Sequence, residues 1–156
     1  MAAREARANR ARRGPTVKAV IDPNVLVSAA LSEKGAPWKI VRSWHEGAFE
    51  MVVSHQLLYE LQAVLLRQKF RRCRTEGEAL EYVLWLREGA TLAEEKGIRP
   101  VSRDPDDNYL LALAASSTAD YLVSGDGDLL EIENPPTPVI SPRDFFEKIR
   151  DQREAT

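Results

Sequence analysis

The strongest constraint on this chain is a junction. Val17-Lys-Ala-Val-Ile21 is a short β-branched run, a buried strand by type, and it passes straight into Asp22-Pro23. Asp is a good N-cap because its side chain accepts a free backbone N–H, and Pro suits the first helical position, where no N–H is needed. A strand thus turns into the helix Asn24–Leu31 with no spacer. The Asp-Pro signal returns at Asp104-Pro105, opening Asp106–Ser116. Between and beyond these points strands alternate with helices. Ala36–Glu46 suits a helix, Phe49–Val53 a strand, and His55–Phe70 a helix capped by Ser54. Thr75–Glu95 suits one or two helices with Gly89 as a break, and Ile98–Val101 a short strand. Asp120–Ser124 reads as a strand, Gly125–Asp128 as a turn, Thr137–Ile140 as a last strand, and Ser141-Pro142 as the start of a helix reaching about Ile149. This alternation predicts an α/β fold, a three-layer α/β/α sandwich around a mainly parallel sheet.

At 156 residues the chain is one domain by length, with a flexible basic tail over 1–16, a domain over 17–150 and a short tail over 151–156. The longest apolar run, Leu110–Ala115, is a helix core and far short of the roughly 18 residues of a membrane span. Residues 1–13 are rich in Ala and Arg but lack the apolar centre of a secretory signal. The single cysteine, Cys73, excludes an internal disulfide and fits a reducing compartment, so a cytoplasmic location is expected. Net charge is −2, yet residues 1–15 carry five Arg and one Glu, which leaves −6 for the remainder. An acidic body is a poor generic binder of nucleic acid; it can handle RNA where cations neutralise its acidic pocket and local Arg clusters grip phosphates.

Four acids fall where a parallel sheet would gather them: Asp22, Glu60, Asp107 and Asp126. Ligands of open α/β sheets bind outside the carboxyl ends of the strands. Oxygen donors there, with His45 and His55 in no zinc spacing, suit a hard divalent cation. Each acid also has a plainer reading. Asp22 is either a helix cap or a ligand at a strand end. Glu60 lies on the flank of the apolar stripe formed by Leu57, Leu61, Val64 and Leu65, where it is solvated unless it has a partner. Asp104, Asp106 and Asp107 open a helix, where acids favour the dipole; Asp107, one turn before Leu110 and Leu111, is the preferred ligand and Asp104 the cap. Asp126 and Asp128 share a Gly-rich turn that favours Asp for conformational reasons; Asp126 follows a buried strand through Ser124 and is preferred. Close carboxylates repel unless a cation joins them.

Arg67, Lys69, Arg71, Arg72 and Arg74 surround Phe70 at a helix end. They are either a solvated terminus favoured by the dipole or a phosphate-gripping patch with Phe70 free to stack on a base. No phosphate-binding Gly motif and no Ser or Cys nucleophile constellation is present.

Val20-Ile-Asp-Pro-Asn-Val-Leu-Val-Ser28 resembles the opening of PIN domains. Val53-Ser54 with Glu60-Leu61 resembles their second motif, Arg103–Ala114 the third, Tyr121–Leu130 the fourth, and Ser141–Phe146 the closing helix. The similarity spans about residues 17–149 and is nearest to the VapC-like branch regarded as toxins of bacterial toxin–antitoxin pairs. It implies a Mg²⁺- or Mn²⁺-dependent endoribonuclease whose acidic cluster is Asp22, Glu60, Asp107 and Asp126, with Asn24 as polar support. It further implies an RNA substrate, an inhibiting antitoxin and a homodimer, with no membrane association. Two positions depart from the pattern: Pro23 stands where Thr or Ser is usual, and Ser124 where Thr is usual.

Two other classes are open. One is a catalytically weak PIN-fold module, altered by Pro23, that binds RNA or protein. The other is a receiver-type domain, which would want a lysine at a later strand end; beyond position 69 the chain has only Lys96 and Lys148, neither at such an end.

Overall fold

The computed structural model describes residues 17–94 and 108–155. β1 (Lys18–Ile21) leads through Asp22 into α1 (Pro23–Leu31). There follow α2 (Ala36–His45), β2 (Glu50–Val53) and α3 (His55–Leu65). A short 3-10 turn (Gln68–Phe70) leads to α4 (Glu76–Gly89) and β3 (Thr91–Leu92). After the undescribed stretch come α5 (Asn108–Ser116), β4 (Tyr121–Val123), α6 (Gly127–Leu130), β5 (Val139–Ile140) and α7 (Pro142–Ala155).

The five strands form one sheet in the order β3-β2-β1-β4-β5, every pairing parallel. The expected α/β architecture is therefore correct, with a sheet parallel throughout. Right-handed crossovers put the α1–α2 and α3–α4 connections on one face and α5 on the other, where it packs on β1 and β4. Central strands covered on both sides should be apolar along their whole length. Ala19, Val20, Ile21, Met51, Val52, Val53, Leu122 and Val123 are all fully buried. Phe145 of α7 completes the core, its ring edge-on to Phe49 at 5.0 Å.

Local chemistry sets the helix starts. Ser54 Oγ accepts the Leu57 N–H at 3.1 Å, the cap expected from sequence. Thr75 and Glu78 form a reciprocal capping box on α4, at 3.1 and 3.0 Å. The Thr75 N–H and hydroxyl hold the Glu78 carboxyl below its usual range.

Several boundaries differ from the sequence reading. α3 ends at Leu65, not Phe70, because the Arg71 guanidinium turns back to cap the Leu66 carbonyl at 2.6 Å. Helix does not persist to Glu95: α4 stops at Gly89, and Thr91–Leu92 adds to the sheet edge, with Ala93 N–H continuing the ladder to Val53 at 2.8 Å. Two residues are too few for a strand period to show in sequence. The Gly125–Asp128 turn already contains the first turn of α6. α7 continues past Ile149 to Ala155, and Arg153 pairs at 3.1 Å with Glu46, the residue that caps the end of α2. The expected strand Ile98–Val101 and the helix start at Asp104–Asp107 lie outside the described residues. Among the described residues no helix is long and apolar enough to cross a membrane.

Candidate active site

The strand order carries the first clue. From β1 the chain moves outward to β2 and β3 on one side, and β4 and β5 fill the other. The switch point therefore lies between β1 and β4, and in sheets of this kind the ligand crevice lies there, beyond the carboxyl ends of the strands. Asp22 follows β1 and Ser124-Gly-Asp126 follows β4, so both segments border that crevice.

The two strands are locked in register, Ile21 opposite Val123, and the Asp22 N–H donates to the Val123 carbonyl at 2.9 Å. Asp22 is 4% exposed. Its Oδ1 accepts the Asn24 N–H at 2.9 Å, so it is indeed the cap of α1. Its Oδ2 accepts the hydroxyl of fully buried Ser124 at 2.8 Å. Ser124 Oγ in turn accepts the Asp126 N–H at 3.0 Å, and Asp126 Oδ1 accepts the Asp128 N–H at 2.8 Å as the cap of α6. One hydroxyl thus joins the two acids. The cap and ligand readings of Asp22 are compatible, because a carboxylate has about four acceptor sites and only two are used.

Burial pushes the Asp22 carboxyl above its usual range; the Asn24 N–H and Ser124 hydroxyl oppose that, and the nearby Asp126 charge reinforces it. A desolvated carboxylate facing a second negative charge is what a bound cation relieves. Both donors are hard carboxylate oxygens, so the pair fits Mg²⁺ or Mn²⁺ better than a softer metal. Among the described residues no three His, Cys, Asp or Glu side chains gather closely enough to hold an ion. Asp107, Asp104 and Asp106 lie outside the described residues.

Glu60 is half-buried on α3, and its Oε2 accepts the Tyr109 hydroxyl from the first turn of α5. Sequence reasoning did not single out Tyr109. The signal was available: an aromatic side chain with a polar tip, two residues after Asp107, at the head of an apolar run. Asn24 is exposed and contributes its backbone N–H rather than a buried side chain. Asp128 is exposed in the first turn of α6.

The basic stretch divides. Arg67, Lys69 and Arg72 are exposed, with Lys69 over the half-buried Phe70 ring at 5.0 Å. Arg71 is half-buried and bonded to the Leu66 carbonyl and to Glu76 at 3.2 Å, so it serves the fold rather than an open patch. Arg74 caps α1, donating to the Ala30 carbonyl at 2.6 Å. The stretch follows the far end of α3, roughly 16 Å along that helix from its start at the sheet's carboxyl edge. His45 packs against Trp85 at 5.6 Å, away from any cluster of ligands.

The chain is similar to an uncharacterized protein of Methanocaldococcus jannaschii, 29% identical over 142 residues that make up 85% of this chain and 91% of the relative. Its fold is similar to the crystal structure of PAE2754 from Pyrobaculum aerophilum, with a TM-score of 0.55 at 17% identity, covering 88% of this chain and 97% of that one. The PIN domain family model matches residues 18–128, and the chain belongs to the PIN domain family.

Proposed function

We propose that this chain is a metal-dependent endoribonuclease, the toxin of a toxin–antitoxin pair. PIN domains are generally metal-dependent nucleases, and the fold is of that type. The observation that carries the reading is the Asp22–Ser124–Asp126 assembly: a buried strand-end carboxylate joined through one hydroxyl to a second acid at the switch point.

Asp22 and Asp126 hold the cation, Mg²⁺ or Mn²⁺, with Asp107 as a further ligand. Bound there, it supplies the positive charge that polarises a phosphoryl oxygen and acidifies water. Ser124 orients Asp22, and the fixed strand ends set the spacing of the two acids. Glu60 either completes the donor set or orients the attacking water. The turn beside Asp126 is open: a Cβ built on Gly125 or Gly127 meets no heavy atom within 4 Å, so an RNA backbone can approach. Exposed Arg67, Lys69 and Arg72 bind more distant phosphates. The expected partners are RNA, a small antitoxin that covers the site, and a second copy of the chain, in the cytoplasm.

The test is Mn²⁺-dependent cleavage of single-stranded RNA by wild type, Asp22→Asn and Asp107→Asn. Cleavage by wild type and none by either variant, with circular dichroism unchanged, supports the reading. Equal cleavage by all three removes the site assignment. Pro23 favours a second reading, a PIN-fold module that binds RNA or protein without cutting. It is buried at the first position of α1 and supplies no hydroxyl beside Asp22. RNA retention without cleavage at saturating Mn²⁺ would select that reading.

A further inference from the structure

We propose that Tyr109 is a positioning residue that fixes one oxygen of Glu60 and aims the other at the cation site; this rests on the nuclease reading. The Tyr109 hydroxyl donates to Glu60 Oε2, joining residues 49 apart in sequence. Their helices belong to different crossovers: α3 lies with the α1–α2 layer, and α5 lies on the opposite face against β1 and β4. α5 ends near the amino end of β1, where the Lys18 ammonium donates to the Ser117 carbonyl at 3.1 Å, so the first turn of α5 lies toward the carboxyl ends of the strands. The contact therefore passes over the carboxyl ends of the strands, the edge that also carries Asp22 and Asp126. The ring of Tyr109 is partly buried against the core, so its hydroxyl is delivered from a packed base and not from a mobile side chain. With Oε2 held by the phenol, Oε1 is the Glu60 oxygen left to serve a cation. A free glutamate on a helix surface would sample several rotamers, and the phenol removes that freedom before any cation arrives.

The test is a double-variant cycle of Tyr109→Phe and Glu60→Ala. It is read by the Mn²⁺ affinity of RNA-free protein and by kcat and KM on single-stranded RNA. Tyr109→Phe keeps the ring and removes the hydroxyl. It is expected to weaken Mn²⁺ binding several-fold and to lower kcat about tenfold, with KM within about twofold. In the Glu60→Ala background the same change is expected to alter neither quantity further, because residues acting as a unit do not add. A merely structural role would give additive losses, which overturn the proposal. Unchanged Mn²⁺ affinity in Tyr109→Phe overturns it as well, whatever the cleavage rate. A wild type that binds Mn²⁺ but cuts no RNA removes the nuclease reading instead, and the Mn²⁺ arm of the cycle still decides what Tyr109 does. A wild type that binds no Mn²⁺ overturns both.

Discussion

Asp22 and Glu60 are held in different ways. On the β1–β4 side, Asp22 is held by backbone: it sits at the end of a central strand, caps the next helix, and receives the hydroxyl of a fully buried serine. On the α3–α5 side, Glu60 rides a helix surface, half-buried, and is steadied by a side chain from another helix. The first arrangement cannot drift without breaking strand pairing. The second can be loosened by deleting one hydroxyl. Under the proposed function, the rigid acid would hold the cation and the adjustable one would place the water.

The largest expected effect attacks the rigid side. Asp22→Asn should lower Mn²⁺-dependent RNA cleavage by on the order of a thousandfold or more, measured by gel assay. Its melting temperature should not fall, because Asn caps a helix as well as Asp and a desolvated charge is gone. A variant that loses activity only by unfolding would erase the contrast between the two sides.

Next is the link itself. Ser124→Ala removes a buried hydroxyl that serves two partners and should cost about 1–3 kcal/mol of stability, measured by urea unfolding. Ser124→Thr, which keeps the hydroxyl, should restore more of the cleavage than Ser124→Ala. If the two variants behave alike, the hydroxyl does not orient Asp22.

A pH profile sharpens the electrostatics. Burial raises the folded-state pKa of Asp22 above its ordinary 3.8, so the cation-free folded state holds that proton more tightly than the unfolded state. The stability contributed by Asp22 is therefore fully present below about pH 3.8 and is lost as pH rises through the raised pKa. The stability of wild type relative to Asp22→Asn should decline across that window in chelator, and saturating Mn²⁺ should flatten the decline. The comparison with the variant matters, because carboxyls held low, such as Glu46 beside Arg153 and Arg42, give the opposite slope.

The smallest effects concern the basic stretch. Arg71→Ala should lower stability by about 1 kcal/mol through the lost cap on α3, with little change in KM. Arg67→Ala should leave stability within about 0.5 kcal/mol and raise KM for RNA about twofold at low salt. Reversed behaviour in these two variants would return Arg71 to the phosphate-binding patch.

Much of this was legible in the chain because local rules settled it. Asp22-Pro23 announced a cap, and the alternation of apolar runs announced a parallel sheet with acids at its carboxyl edge. The misjudged parts were those where no local rule applies. Nothing in Arg67–Arg72 says that Arg71 will bend back to end α3, and Thr91-Leu92 has too few residues to show a strand.

Sequence by itself determined which backbone segments turn at the strand ends and that those turns carry carboxylates, because capping and strand propensity act over three or four neighbouring residues. Tertiary structure alone decided that β1 and β4 are adjacent, that the Ser124 hydroxyl reaches Asp22 across 102 residues and ties it to Asp126, and that Tyr109 reaches Glu60. Those outcomes depend on strand order and burial. They arise from packing the whole core, and no short window of residues contains them.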